Sequence, residues 1–116
     1  MTTVAVLGSG AAGLVAALAA AQNGAEVTIY EKDELCGGTT ALSGGNAWLP
    51  ANHYLDDDSP EAGLAYLRAL GLGDSDDELL QVFVHSARET AEWLEASTPL
   101  TFVAVPYTDY HAEFPG

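Results

Sequence analysis

At 116 residues, 48% of them hydrophobic, the chain is one small domain at most and carries enough apolar side chain to build a core, which argues against intrinsic disorder. Seventeen acidic residues against three basic ones leave a formal net charge of −14, which repels phosphate backbones and anionic lipid surfaces alike and excludes nucleic acid as a partner. The apolar N-terminus has no basic leader, the longest apolar stretch (Leu14 to Ala21) is far too short for a transmembrane segment, and the single Cys36 cannot form an internal disulfide, so a cytoplasmic chain is expected.

Val4, Ala5, Val6 and Leu7 form a continuous apolar run, the pattern of a strand buried on both faces of a parallel sheet, and Gly8 ends it. From Ala11 to Asn23 the residues are helix formers dominated by alanine, with Gly24 placed as a left-handed cap. Glu26 to Tyr30 is β-branched and aromatic, which predicts a second strand ending at Glu31. Residues 1–31 therefore read as a βαβ half-unit whose right-handed crossover makes the strands parallel.

Residues 32–58 predict little regular structure and a glycine-rich loop, with Asp56, Asp57 and Asp58 a solvated run at its end. Residues 59–97 predict two helices. Ser59, Pro60 and Glu61 supply an N-cap, a first-turn proline and a first-turn acid for a helix through Leu70 that Gly71 closes. Ser75-Asp76-Asp77-Glu78 reads as a capping box, after which Leu80, Phe83, Ala87, Ala91 and Leu94 recur at helical spacing to about Ala96. In residues 98–116, Thr101 to Val105 alternates like a strand, Pro106 stops it, and a loop bearing Tyr107, Tyr110 and His111 comes next. The fold class is α/β, a Rossmann-like unit followed by helices, with an incomplete parallel sheet.

Gly8-Ser9-Gly10-Ala11-Ala12-Gly13 fits G-x-G-x-x-G and lies between a predicted strand and a predicted helix, the context this motif needs. Gly8 serves the tight turn, Gly10 the approach of a pyrophosphate to the backbone, and Gly13 the close packing of helix on strand. The amides at the helix start, at the positive end of its dipole, then bind phosphate. Glu31 stands where a carboxylate accepts hydrogen bonds from an adenosine ribose, and its charge disfavours a 2′-phosphate, so NADP is not expected. The fingerprint alone leaves FAD and NAD both open.

The residues beyond Glu31 decide between them. Glu31-Lys32, Gly37-Gly38-Thr39-Thr40, Ser43-Gly44-Gly45 and Trp48-Leu49-Pro50 resemble the flavoprotein family of fumarate reductase and succinate dehydrogenase, most of all its 3-ketosteroid Δ1-dehydrogenase branch. The likeness runs from Val4 to the last residues and is most specific from Gly37 to Pro50. It implies FAD as cofactor, with the matching threonines at the pyrophosphate and the matching Ser-Gly-Gly beside the isoalloxazine ring. The loop's own chemistry agrees, because glycine doublets let backbone lie against a flat ligand while Thr39, Thr40 and Ser43 offer hydrogen bonds. Respiratory members carry flavin covalently on a histidine, and Gly38 stands at that position here, which implies non-covalent FAD.

The resemblance further implies hydride transfer from a substrate CH–CH group to flavin N5, with an apolar ketone or steroid as substrate. Asp109-Tyr110 with Phe114-Pro115 resembles a substrate-side loop of the steroid branch, which nominates Tyr110 as catalytic and Tyr107 as a weaker candidate for the same pocket. A fumarate-reductase-like enzyme acting on a small unsaturated acid is the alternative, and it needs arginine clamps, for which this chain offers only Arg68 and Arg88. Enzymes of this family are several hundred residues long, so the chain is expected to be the N-terminal part of an FAD-binding domain and not catalytic by itself. Its partner would be the remainder of the flavoenzyme, from the same gene or a second chain; a non-catalytic FAD-binding subunit is the third reading. No metal site is expected, since His85 stands alone in its helix without a second ligand at i+4.

Overall fold

The computed structural model describes residues 1–106 and 108–116, which fall into two units, Met1–Ala47 and Trp48–Gly116. In the first, strand β1 (Thr3–Leu7) leads through helix α1 (Ala11–Gln22) to strand β2 (Glu26–Tyr30), and a short helix α2 (Gly38–Leu42) comes after it. The strands pair in parallel, from Thr3 opposite Glu26 to Leu7 opposite Tyr30, as a right-handed crossover requires. Gly24 closes α1 in the left-handed region (φ +81°). Its N–H donates to the Ala21 carbonyl and that of Ala25 to the Ala20 carbonyl, the paired bonds of a Schellman cap.

Side-chain alternation sends Val4, Val6, Val27 and Ile29 to one face of the sheet, where Val6 is buried, as is Ala17 of α1. The expectation that β1 is buried on both faces is corrected. Ala5, Leu7, Thr28 and Tyr30 point to the other face, and Leu7 is 83% exposed. The physical reason is that α1 covers one face only. Within the loop from residue 32, expected to hold little regular structure, the one helix described is the five-residue α2.

In the second unit, α3 (Pro60–Leu70) and α4 (Asp77–Ser97) pack together over Leu64, Tyr66, Val84, Ala87 and Ala91. Ser59 caps α3 as expected, its hydroxyl accepting from the Ala62 N–H at 3.1 Å with Pro60 in the first turn. Gly63 faces Pro50 so closely that a Cβ there would lie 2.7 Å from the proline Cβ. The α4 cap is Asp76 rather than Ser75, because the Asp76 carboxylate accepts from the N–H groups of both Glu78 and Leu79. Val84 is buried in the α4 stripe with Ala87 and Ala91, in place of Phe83, which is 41% exposed and stacks on Trp48.

Thr101–Val105, expected as a strand, pairs with no other strand among the described residues. An extended segment needs a partner for its amides, and here the Phe102 N–H donates instead to Glu95 Oε1 at 2.8 Å. Tyr107 lies outside the described residues. Among those described, no helix is long and apolar enough to cross a membrane.

Candidate dinucleotide-binding site

The glycine fingerprint and the loop after β2 meet inside the first unit. Gly8 takes φ +94°, a conformation in which an L side chain is strained, and its N–H donates to the Tyr30 carbonyl at 2.8 Å, so the turn springs directly from the sheet. Gly13 meets a different demand. A Cβ on it would lie 2.1 Å from the Gly8 carbonyl oxygen and 3.5 Å from Val6 Cγ1, so only hydrogen lets α1 sit this close to β1. Gly10 has no such clash. A Cβ there would stand 3.6 Å from Thr40 Oγ1 and 3.9 Å from the Gly37 carbonyl oxygen, in the space between the turn and the following loop.

Ser9, between the first two glycines, is 2% exposed and wholly committed inside the protein. Its N–H donates to Glu31 Oε2 at 2.9 Å, its hydroxyl donates to the same oxygen, and that hydroxyl accepts the Gly37 N–H at 2.8 Å. Ser9 was expected to contact the cofactor; its amide and hydroxyl are engaged within the turn, and the residue also lines the cleft described below. Glu31 Oε1 accepts the Asp33 N–H at 3.0 Å. The Ser9 hydroxyl first, then the Asp33 and Ser9 amides, hold the Glu31 carboxyl down to about 2, so it is an anion at every physiological pH. An ionised carboxylate has about four acceptor positions. The Ser9 hydroxyl and amide share Oε2, the Asp33 N–H falls on Oε1, and the Lys32 backbone contributes as well, so both oxygens are held by the turn.

At the start of α1, Gly10 occupies the N-cap and has no side chain to close it. The Ala11 N–H donates to Thr40 Oγ1 at 3.1 Å, which leaves the threonine's own hydroxyl hydrogen for another acceptor. The turn and α2 also touch backbone to backbone, because a Cβ on Gly38 would lie 3.6 Å from Gly10 Cα. The result is a cleft of about 870 Å³, within the size range of cofactor sites, lined by Gly8, Ser9, Gly10, Glu31, Lys32, Gly38 and Thr39 among others.

Ala11, Ala12, Gly13 and Thr40 form the helix start and its brace beside this cleft, while Ser43, Gly44 and Gly45 continue past α2. The Ser43 hydroxyl donates to the Thr40 carbonyl at 2.8 Å and accepts the Gly45 N–H at 3.1 Å, which shapes that stretch locally. Sequence reasoning missed Leu7, Tyr30, Asp33, Leu35, Cys36, Ala41 and Leu42 in the cleft wall. Tyr30 and Asp33 could have been found by adjacency to Glu31; the others owe their place to the turn that α2 imposes on the loop.

The residues fit a dinucleotide. An uncapped helix start, a threonine hydroxyl beside it, a glycine whose Cβ would stand between turn and loop, and a fixed carboxylate at the strand end meet around one cleft.

In the second unit, Tyr110 is 98% exposed. His111 stacks on Phe114 with ring centroids 5.1 Å apart and lies 3.0 Å from Glu113 Oε1. His53 is 3.7 Å from carboxylate oxygens of both Glu92 and Glu95. Arg68 is held by Asp77 through two bonds of 2.6 and 2.9 Å, and Arg88 by Glu92 at 2.9 Å.

Comparison with known proteins agrees with this geometry. The chain is 40% identical over 118 residues to 4-oxocyclohexanecarboxylate 2-dehydrogenase of Sinomonas cyclohexanicum, covering 97% of this chain and 21% of that protein. It is also 40% identical, with the same coverage, to the 3-oxosteroid 1-dehydrogenase of Mycobacterium tuberculosis strain H37Rv. The crystal structure of 3-ketosteroid Δ1-dehydrogenase from Sterolibacterium denitrificans, in complex with 1,4-androstadiene-3,17-dione, superposes with a TM-score of 0.91 at 35% identity, over 99% of this chain and 21% of that one. The chain thus spans about a fifth of the length of the relatives it matches. The family described as FAD binding domain matches residues 3–113, and the chain belongs to that family of flavin-binding domains.

Proposed function

We propose that the chain is the FAD-binding N-terminal portion of a dehydrogenase that oxidises a CH–CH bond next to a ring ketone, a 3-ketosteroid being the first candidate substrate. The observation that carries the nucleotide half of this reading is the Glu31 carboxylate, ionised and fixed by Ser9 at the end of β2 beside the cleft. Glu31 Oε1 would take an adenosine ribose hydroxyl. The amides at the start of α1 beyond Ala11, together with the Thr40 hydroxyl, would hold the diphosphate. Lys32 and Thr39 line the same cleft, and Ser43, Gly44 and Gly45 would run beside the flavin ring. Gly38 carries no side chain to bond the flavin, so the cofactor would be held without a covalent link.

Bound FAD supplies a hydride acceptor at N5, matched by loss of a proton from the neighbouring substrate carbon. On the chain's own side, Tyr110 is the group proposed to handle that proton, and its exposure leaves the phenol accessible. The names of the relatives support a cyclic ketone, since one is a 3-oxosteroid 1-dehydrogenase and another a 4-oxocyclohexanecarboxylate 2-dehydrogenase. The small-acid alternative needs arginine clamps, and since Arg68 and Arg88 are each paired with an internal carboxylate, the remainder of the flavoenzyme would have to supply them. The exposed sheet face bearing Leu7 and Tyr30 suits contact with the remainder of the flavoenzyme.

The test is purification of the whole protein, acid precipitation, and assay with androst-4-ene-3,17-dione and an artificial electron acceptor. A yellow protein that releases FAD into the acid supernatant and reduces the acceptor is expected. A colourless protein that takes up no FAD refutes the cofactor reading, and an FAD-loaded protein inert toward cyclic ketones refutes the substrate class.

A further inference from the structure

We infer that Ser9 is a positioning residue that sets sugar recognition by fixing Glu31 and the glycine loop through a single hydroxyl. The inference rests on the reading of the cleft as a dinucleotide site and extends it to a residue whose amide and hydroxyl are engaged within the protein. Ser9 is 2% exposed, yet its hydroxyl has a partner on each side. It donates to Glu31 Oε2 and accepts the Gly37 N–H at 2.8 Å, while the Ser9 N–H returns a second bond of 2.9 Å to the same Glu31 oxygen.

Two donors on Oε2, with the Asp33 N–H on Oε1, decide how the carboxylate is rotated, and so how Oε1 faces the cleft. Without the hydroxyl, Oε2 keeps one donor and the carboxylate gains freedom to turn about its terminal torsion, which is intrinsically broad. The Gly37 N–H would lose its acceptor in the same step. Gly37 opens α2, whose Thr40 braces the start of α1, so the loosened loop would reach the diphosphate side of the cleft as well. Alanine keeps the Cβ at this position but makes neither hydrogen bond, which separates a positioning role from a packing one.

The experiment compares binding of FAD with binding of its analogue lacking the adenosine 2′-hydroxyl, using the whole protein freed of flavin, as wild type, Ser9→Ala and Ser9→Cys. Cysteine nearly preserves the shape while placing a longer, weaker donor at the site. Wild type is expected to prefer FAD by about tenfold, the scale of one hydrogen bond to a charged group. Both variants are expected to bring that ratio to within about threefold of unity. A packing role would weaken both ligands equally and leave the ratio unchanged, and that result overturns the inference, as would failure of both variants to fold. If only Ser9→Ala fails to fold, the Ser9→Cys ratio decides. Wild type that binds no FAD, or binds both ligands alike, would instead sink the underlying reading of Glu31, so the two failures are distinguishable.

Discussion

Replacing Gly13 by alanine tests the closest contact in the nucleotide unit. The added Cβ would lie 2.1 Å from the Gly8 carbonyl oxygen, about 0.9 Å inside the 3.0 Å that real Cβ atoms keep, and the neighbour is backbone rather than a flexible side chain. Overpacking of this kind costs about 1–3 kcal/mol. Alanine's better helix propensity returns at most about 1 kcal/mol. The size of the clash favours the upper end, so a net loss of about 2 kcal/mol is expected, roughly a thirtyfold fall in the folded-to-unfolded ratio. The strain would be relieved by moving the start of α1 away from the Gly8 turn, which carries its amides out of register with a diphosphate, so FAD affinity should fall as well. Urea unfolding of the flavin-free protein and FAD titration measure the two effects. Gly44→Ala is the control for stability, because a Cβ there meets nothing within 4 Å. Gly13→Ala as stable as wild type, with unchanged FAD affinity, would refute the close-packing argument.

Three further outcomes are expected. The Glu31 carboxyl titrates at about 2 in the folded chain against an ordinary 4.5, so its contribution to stability is complete above about pH 4.5 and is lost as pH falls toward 2. The stability gap between wild type and Glu31→Gln should accordingly stay constant from pH 7 to 5 and close only below that; a gap already closing between pH 7 and 6 would contradict the Ser9 bonding. Val84 is 1% exposed at the α3–α4 contact, so Val84→Ala should cost about 2 kcal/mol by denaturant melting, whereas a change below 0.5 kcal/mol, the scale of surface substitutions, would show the site to be loosely packed. Tyr110→Phe should lower kcat on a cyclic ketone by about 100-fold or more with FAD content unchanged, and unaltered kcat would remove Tyr110 from the chemistry.

Much of the nucleotide unit was legible because backbone constraints left few solutions. Gly8 needs a left-handed turn, Gly13 needs the absence of a Cβ, and a charged residue at the end of β2 needs a polar partner, so their spacing predicts their geometry. Ser9 was legible only as a member of the motif. Its role depends on where Gly37 comes to lie, 28 residues away, and no local pattern reports that contact. Helix α2 was missed for a similar reason. It has five residues and begins at glycine, and bonds from Ser9 and Thr40 to other elements accompany it where propensity alone would fail. The alternation of Thr101–Val105 satisfies the pattern of a strand, but pairing is a property of two segments, and among the described residues no second segment pairs with it. In α4, the stripe was right in period and displaced by one position at its centre, since Phe83 is drawn to the Trp48 ring and Val84 fills the core.

The shared hydroxyl of Ser9 has a consequence for anyone wishing to change which nucleotide this scaffold prefers. Exchanging the acid at position 31, the obvious handle on sugar preference, also removes one of the two neighbours that orient the Ser9 side chain. The serine would then be released to rotate, and the loop opened by Gly37 would slacken with it. Retuning the sugar and keeping the loop in place are therefore not independent engineering problems, and position 9 has to be redesigned together with position 31.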